Sequence, residues 1–506
     1  MRKVGLFLVL TGVLWMAACG GSGGSNTNST ITNVSVSCSP STVTSGGTSQ
    51  CTATVAGTGN FSQGVTWSTT AGTISSSGLL TAPTVTVSLL VTVTATSMQD
   101  TTKSGTASVT DNPTSAASNV APLIVDSGPT GLSEANIAYT TVTVCVPGNA
   151  PPSSNCQDID HVQVDTGSSG LRLVSSIVSV SLPHNNDSGG NPLDECLIFL
   201  DGYVWGPVAT ADIYVAGEKA GSLPVQLTIP DGGSPGVPSS CSSQTTGSND
   251  GGSPGDLGAN GLIGVGFFQQ DCGLACTTAN GQIPDAYYGC TASGCNPTYT
   301  TLLQQVTNPV VLFSGDNNGV LIQLPMVQDG GAQNVPGSLI FGIGTQSNNG
   351  LGSATIYQVP DENSSASNLG DIITTYNGQA YNFSFIDSGS NGLFFLDTSI
   401  TGIPTCSGQE SAWYCPTNSP DNLTATNQGQ NDSQQGTGSA VAVNFSIENA
   451  DNLFQSNNTA WSTLGGPYTP PPVQFDWGLP FFFGRNVFVA IDQKGTPAGN
   501  GPYVAY

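Results

Sequence analysis

One eight-residue motif occurs twice. Val164-Asp165-Thr166-Gly167-Ser168-Ser169-Gly170-Leu171 is matched 222 positions later by Ile386-Asp387-Ser388-Gly389-Ser390-Asn391-Gly392-Leu393, and an apolar strand-like run precedes each copy. A chain that repeats strand, acidic turn and strand in this way is constrained to build two similar halves, each presenting one carboxylate on a tight turn. The triplet Asp-Ser/Thr-Gly alone carries little weight, because glycine fills 65 of 506 positions. Asp126-Ser127-Gly128 and Asp187-Ser188-Gly189 also contain it. Asp187 sits among Asn, Ser and Gly and reads as a loop. Asp126 follows Leu123-Ile124-Val125 and is the rival, although Pro129 comes next where the repeated copies carry serine.

Composition sets the compartment and the fold class. Seven basic residues against 32 acidic ones give a net charge of −25, and only 8% of residues are charged. The 37% that are hydrophobic are enough for real cores. Small polar residues take over the surface role of Lys and Glu, which predicts an extracytoplasmic, all-β protein. So few scattered bases cannot neutralise a phosphate backbone, so nucleic acid is excluded as a partner. Arg2 and Lys3 precede an apolar run from Val4 to Ala18, too short to span a bilayer, which predicts a secretory signal over residues 1–19. Its end, Met16-Ala17-Ala18-Cys19-Gly20, resembles the lipobox of bacterial lipoproteins. That resemblance implies acylation of Cys19, a membrane partner through the lipid, and a place in the bacterial cell envelope. Gly20, which is not acidic, points to the outer membrane. Residues 20–30 form a Gly/Ser/Asn tether reaching roughly 18 Å.

Setting Cys19 aside, 13 − 1 leaves twelve cysteines, an even number in an oxidising compartment. Disulfides are expected, and neither metal nor cofactor. Cys272, Cys276, Cys290 and Cys295 are read as two bridges, with a four-thiolate zinc site as the alternative. Cys196 with Cys241 and Cys406 with Cys415 are further expected pairs. The chain has two histidines, and His161 beside Asp160 reads as a surface pair. No serine triad is supported.

Two globular parts are expected. Residues 31–112 alternate in short runs at sandwich spacing. Their Gly64-Val65-Thr66-Trp67-Ser68 segment resembles bacterial Ig-like domains of group 2, with Trp67 as the core tryptophan and Cys38 and Cys51 stapling neighbouring strands. Residues 113–120 form the linker. From 121 the chain stays β-rich, with polar insertions near Ser239 to Pro254 and Thr417 to Gly438.

Over the remaining length the order of motifs resembles pepsin-like aspartic peptidases. Ile137 to Val144 and Ile159 to Val164 resemble that family's first hairpin and catalytic strand, which Cys145 and Cys156 would close. Ala259 to Gly266, Gly337 to Gly342 and Trp477 to Asp492 resemble later elements of the same fold. The resemblance implies a bilobal β domain with lobes at 121–335 and 336–506, and Asp165 and Asp387 as catalytic residues. It implies that Thr166 and Ser388 bond across the lobes, that Ser168 and Ser390 bond the outer carboxylate oxygens, and that Gly167 and Gly389 allow the tight turns. Cys196 to Gly206 resembles the flap hairpin, with Phe199 where the family has tyrosine and Tyr203 and Trp205 as further candidates. Arg172 departs from the family pattern and would place a cation near the cleft, and Asp476-Trp477-Gly478 replaces two apolar residues before glycine. The region also resembles the bacterial family named domain of unknown function 3443, which supplies no activity.

The chemistry explains the arrangement. Two carboxylates this close cannot both ionise, so one keeps a proton. One then serves as base and the other as acid for water attacking a peptide carbonyl, with no metal or covalent intermediate. Two functions follow: a lipid-anchored peptidase acting on peptide or protein substrates, or a catalytically idle relative serving as a binding or adhesive module.

Overall fold

The computed structural model describes residues 29–506 apart from 84, 86–88, 113–118, 200–201, 234–235, 246, 249–250, 279–283, 363–366 and 469–472. The expected signal, Cys19, most of the tether and most of the linker lie outside the described residues. The chain divides into two compact units, Met1–Ser115 and Ala116–Tyr506. Both are built from strands, and every α-helix among the described residues is four residues long.

The first unit has two four-stranded sheets. Thr48–Thr58 alternates exposed Thr48, Thr52 and Thr54 with buried Ser49, Cys51 and Val55, the period-two pattern of a strand with one wet face. Val43, Leu80, Val91, Val93 and Val109 fill one core cluster between the sheets. Cys38 stands directly opposite Cys51 and is bonded to it. Trp67 packs against this core and an adjoining one but stays half-buried, because its strand Val65–Thr69 is at a sheet edge.

In the second unit the repeated motif folds into a repeated four-strand pattern. Cys156–Asp165 runs parallel to Gly261–Val265, which is antiparallel to Ser169–Val174, which is in turn parallel to Glu218–Thr228. Gln379–Ile386, Phe475–Trp477, Leu393–Phe395 and Gly465–Gly466 repeat that order and those directions. In each half the chain leaves a strand at an aspartate, turns, and returns with a distant strand inserted between. Every residue of Ser169–Val174 and of Gly261–Val265 is buried, as expected for strands covered on both faces. The acidic turns are therefore anchored in the most rigid part of the sheet.

The two halves share a sheet, and the expected lobe boundary between 335 and 336 lies within it. Val335–Phe341 pairs with Val120–Val125 on one side and Gly319–Gln323 on the other, and Gly319–Gln323 also pairs with Asn486–Ala490. A cut at 335/336 falls at the start of a strand that pairs directly with one from the beginning of the unit and is linked through Gly319–Gln323 to one near its end. The polar stretch 417–438 is likewise no simple insertion. Asp421–Gln430 and Gly436–Ile447 form a hairpin that extends from Ile372–Tyr376. It buries Ala425 and Val443 together with the polar Asn427 and Gln430.

Six disulfides close the described chain: Cys38–Cys51, Cys145–Cys156, Cys196–Cys241, Cys272–Cys276, Cys290–Cys295 and Cys406–Cys415. Cys272, Cys276, Cys290 and Cys295 thus form two bridges.

Candidate active site

The turns of the two halves meet. The Gly167 N–H donates to its own half's Asp165 Oδ1 at 2.7 Å and to Asp387 Oδ1 of the other half at 3.0 Å. The Gly389 N–H donates to Asp387 Oδ1 at 2.7 Å. The Ser168 hydroxyl holds Asp165 Oδ2, and the Ser390 hydroxyl holds Asp387 Oδ2 at 2.9 Å. Glycine is required at both turns because each carboxylate occupies the space of the opposite turn's missing side chain. A Cβ on Gly389 would stand 2.6 Å from Asp165 Oδ1, and one on Gly167 would stand 2.7 Å from Asp387 Oδ1.

Behind the carboxylates, buried hydroxyls lock the turns together. The Ser388 hydroxyl donates to the Val164 carbonyl at 2.8 Å and accepts from the Thr166 N–H at 3.1 Å. The Thr166 hydroxyl accepts from the Ser388 N–H at 2.9 Å and reaches the Ile386 carbonyl at 3.4 Å. Thr166 and Ser388 are 1% and 0% exposed, so each of these bonds lacks a competing water and fixes the spacing of the carboxylates. Burial pushes the Asp387 carboxyl well above the usual carboxylate range, and the charge of Asp165 and a hydrogen bond with it push the same way. The pair therefore holds a proton at a pH where an isolated aspartic acid has lost its own.

The carboxylates lie in a cleft of about 1460 Å³. A hairpin of Leu193–Ile198 and Tyr203–Val215, with Cys196 opposite Trp205, stands over it. Leu197, Ile198 and Phe199 line the cleft. Tyr203 and Trp205 do not: both are buried behind the hairpin with Cys196, Cys241 and Tyr288, and the Tyr203 hydroxyl lies 2.9 Å from Asp231. Of the three flap candidates, all on or at the turn of this hairpin, Phe199 alone lines the cleft. The alternation of a strand sends neighbours to opposite faces, and the apolar cluster beneath the hairpin claims the two larger rings.

Arg172 lies near the cleft, against its lining residue Asp271, but not in the lining itself. It is 1% exposed and is held in a buried cluster, with Nη2 at 2.7 Å from Glu195 and 3.2 Å from Asp271 and Nη1 donating to the Ser169 carbonyl at 2.9 Å. Its charge is thus spent tying the flap strand to the strand below, and it does not line the cleft. Asp271, which takes a further bond from Tyr287 at 2.7 Å, is pushed well above the carboxylate range by burial and by Glu195, with Arg172 acting against them. The rival Asp126 lies outside the lining of the cleft, 3.4 Å from His161 Nε2, so His161 bridges Asp126 and Asp160. Asp187 closes a loop by accepting from the Gly189 and Asn191 N–H groups.

Two cleft residues were not singled out from sequence. Asp371 lines the cleft, and burial pushes its carboxyl up to about 8. Asp476, noticed only as a departure, also lines the cleft and is pushed well above the usual range by burial and then by the charge of Asp387. The repeat itself carried a signal for Asp476, since Leu262-Ile263-Gly264 of the first half stands where the second half has Asp476-Trp477-Gly478. Nothing local marks Asp371.

A family model described as "Protein of unknown function (DUF3443)" matches residues 115–506, and the chain belongs to that family. No curated protein matches the chain. Among solved structures, an aspartic proteinase from Irpex lacteus is similar at 15% identity and a TM-score of 0.43, covering 76% of this chain and 96% of that one.

Proposed function

We propose that this DUF3443 member is an aspartic peptidase whose Asp165 and Asp387 activate water against a peptide bond. The observation that carries the reading is the interlock of the two acidic turns, in which Gly167 N–H is shared between the two carboxylates. Such a pair holds one negative charge and one proton, and burial and the neighbouring carboxyl favour the proton on Asp387. Asp165 takes a proton from water as the oxygen attacks the carbonyl carbon, and Asp387 gives its proton to the carbonyl oxygen. The gem-diol then collapses: Asp165 returns its proton to the amide nitrogen as the C–N bond breaks, and Asp387 recovers a proton from the diol hydroxyl. Water and peptide become a carboxylic acid and an amine, and the pair is restored. Phe199, Leu197 and Ile198 supply an apolar cover for the peptide.

The test is cleavage of an unfolded protein at acidic pH by the wild type and by Asp165→Asn and Asp387→Asn. Each variant is expected to lose roughly a thousandfold or more of the rate while keeping its melting temperature within a few degrees. A wild type that cleaves nothing from acidic to neutral pH would favour the idle binding module. The proposal extends to place: Cys19 carries lipid and holds the protein in the cell envelope, with the first unit as spacer. Cys19→Ser protein that still partitions with membranes would remove that part.

A further inference from the structure

The cleft is electrostatically one-sided. Every charged side chain that lines it among the described residues is a carboxylate. The lysines and arginines of the second unit are placed elsewhere. Arg172 is held by Glu195 and Asp271, Lys219 lies 2.8 Å from Asp212, Arg485 stacks 4.4 Å from the Phe481 ring, and Lys494 is absent from the lining. A cleft with low-dielectric walls and one sign of charge draws counter-ions from solution.

Asp476 is where the two halves of the cleft differ. The pseudo-symmetry matches it to Leu262: Leu262 pairs with Gln163 on the strand leading into Asp165, and Asp476 pairs with Phe385 on the strand leading into Asp387. Both line the cleft, so the two halves present an apolar residue on one side and an acid at the equivalent place on the other. Asp476 is 2% exposed, and its Oδ1 has no hydrogen-bond partner among the described residues. Tyr468 stands close enough to feel both Asp476 and Asp371, and it accepts a hydrogen bond from Gln474 at 2.8 Å. A buried carboxylate oxygen with no protein donor is a costly arrangement unless a ligand completes it.

We propose that the second-half side of the cleft is a subsite for a cationic side chain, a lysine or arginine of the bound peptide, met by Asp476, with Asp371 a further acid of the same cleft. The inference rests on the reading of the cleft as a peptide-binding site and names the class of peptide it takes. In the unliganded cleft burial keeps the two carboxyls protonated, and an entering ammonium or guanidinium drives a proton off. Binding of a basic peptide therefore releases protons near neutral pH, which an apolar peptide does not do.

The experiment compares paired peptides in which lysine or norleucine, equal in stem length but different in charge, is walked through each position. At one position the wild type is expected to prefer lysine in kcat/KM by roughly tenfold or more. Asp476→Leu, which copies the first half, is expected to bring that ratio to about one. A ratio measured on one preparation does not depend on how much of it is folded. Equal rates for both peptides in the wild type, or a preference that survives in Asp476→Leu, would overturn the subsite. If the wild type cleaves neither peptide, calorimetry in two buffers of different ionisation enthalpy decides. Tighter lysine-peptide binding with proton release, lost in Asp476→Leu, upholds the subsite while the peptidase reading falls. Equal binding of the two peptides rejects the subsite.

Discussion

Gly389 shows how little room the paired turns leave. A methyl group there would sit 2.6 Å from Asp165 Oδ1 and 3.1 Å from Asp387 Oδ1, so Gly389→Ala must push the two carboxylates apart. The expected outcome is a loss of about a hundredfold in kcat/KM with little loss of stability, and an alkaline pH limit that moves toward that of an ordinary carboxylic acid. Unchanged activity would mean that carboxylate spacing is not what the site depends on. At this scale the paired Asp, hydroxyl and glycine positions were legible, because the same six residue types recur in the same order. That Arg172, Tyr203 and Trp205 stay out of the cleft lining was not legible, because a strand pattern tells which residues share a face but not which of the two faces looks into the cleft. Asp476 was visible only as a mismatch between halves, and Asp371 acquires its character wholly from burial by distant segments.

Strand order explains why the acids are held so firmly. Each acidic turn joins two strands that are not neighbours, and the strand between them comes from 80 to 100 residues further along, as with Asp165↔Gly264 and Ile386↔Trp477. Pulling either turn open therefore means breaking into the middle of a sheet. The first hairpin is closed by Cys145 and Cys156, directly paired and 11 residues apart in sequence. Replacing both with serine is expected to lower the unfolding free energy by about 3 kcal/mol in denaturant melts. A change near zero would mean that the hairpin is held by its strands alone. Alternation made most strands readable, whereas Asp421–Gln430 reads as part of a polar insertion because Asn, Thr and Gln fill its outer positions and Asn427 and Gln430 are polar even where buried. The sheet joining Val120–Val125 to Val335–Phe341 was unreadable for a different reason: pairing across more than two hundred residues leaves no local mark.

For the whole molecule, the excess of acid becomes a dependence of stability on pH. Burial raises Asp194 to about 7 and Asp371 to about 8, and raises Asp271, Asp387 and Asp476 as well. A carboxyl whose folded value is raised binds its proton more readily folded than unfolded. Its contribution to stability is complete below about pH 4 and is lost as pH climbs through the folded values. Asp212 runs the other way: despite some burial, Lys219 and two backbone N–H groups hold it low, and its contribution fades in acid. Raised groups predominate, so the melting temperature should fall from mildly acidic pH to pH about 8, and Asp371→Asn should flatten the upper part of that fall. A melting temperature that rises over this range would contradict the burial of these acids. The same proton arithmetic governs activity, and the most direct test of the shared-proton pair is the pH profile of kcat/KM for one peptide, compared between wild type and Asp387→Asn. The wild type should be active in acid, with an alkaline limb above the value of an ordinary aspartic acid as the pair loses its last proton, and Asp387→Asn should be inactive throughout. An Asp387→Asn protein that cleaves with the wild-type profile would contradict the account.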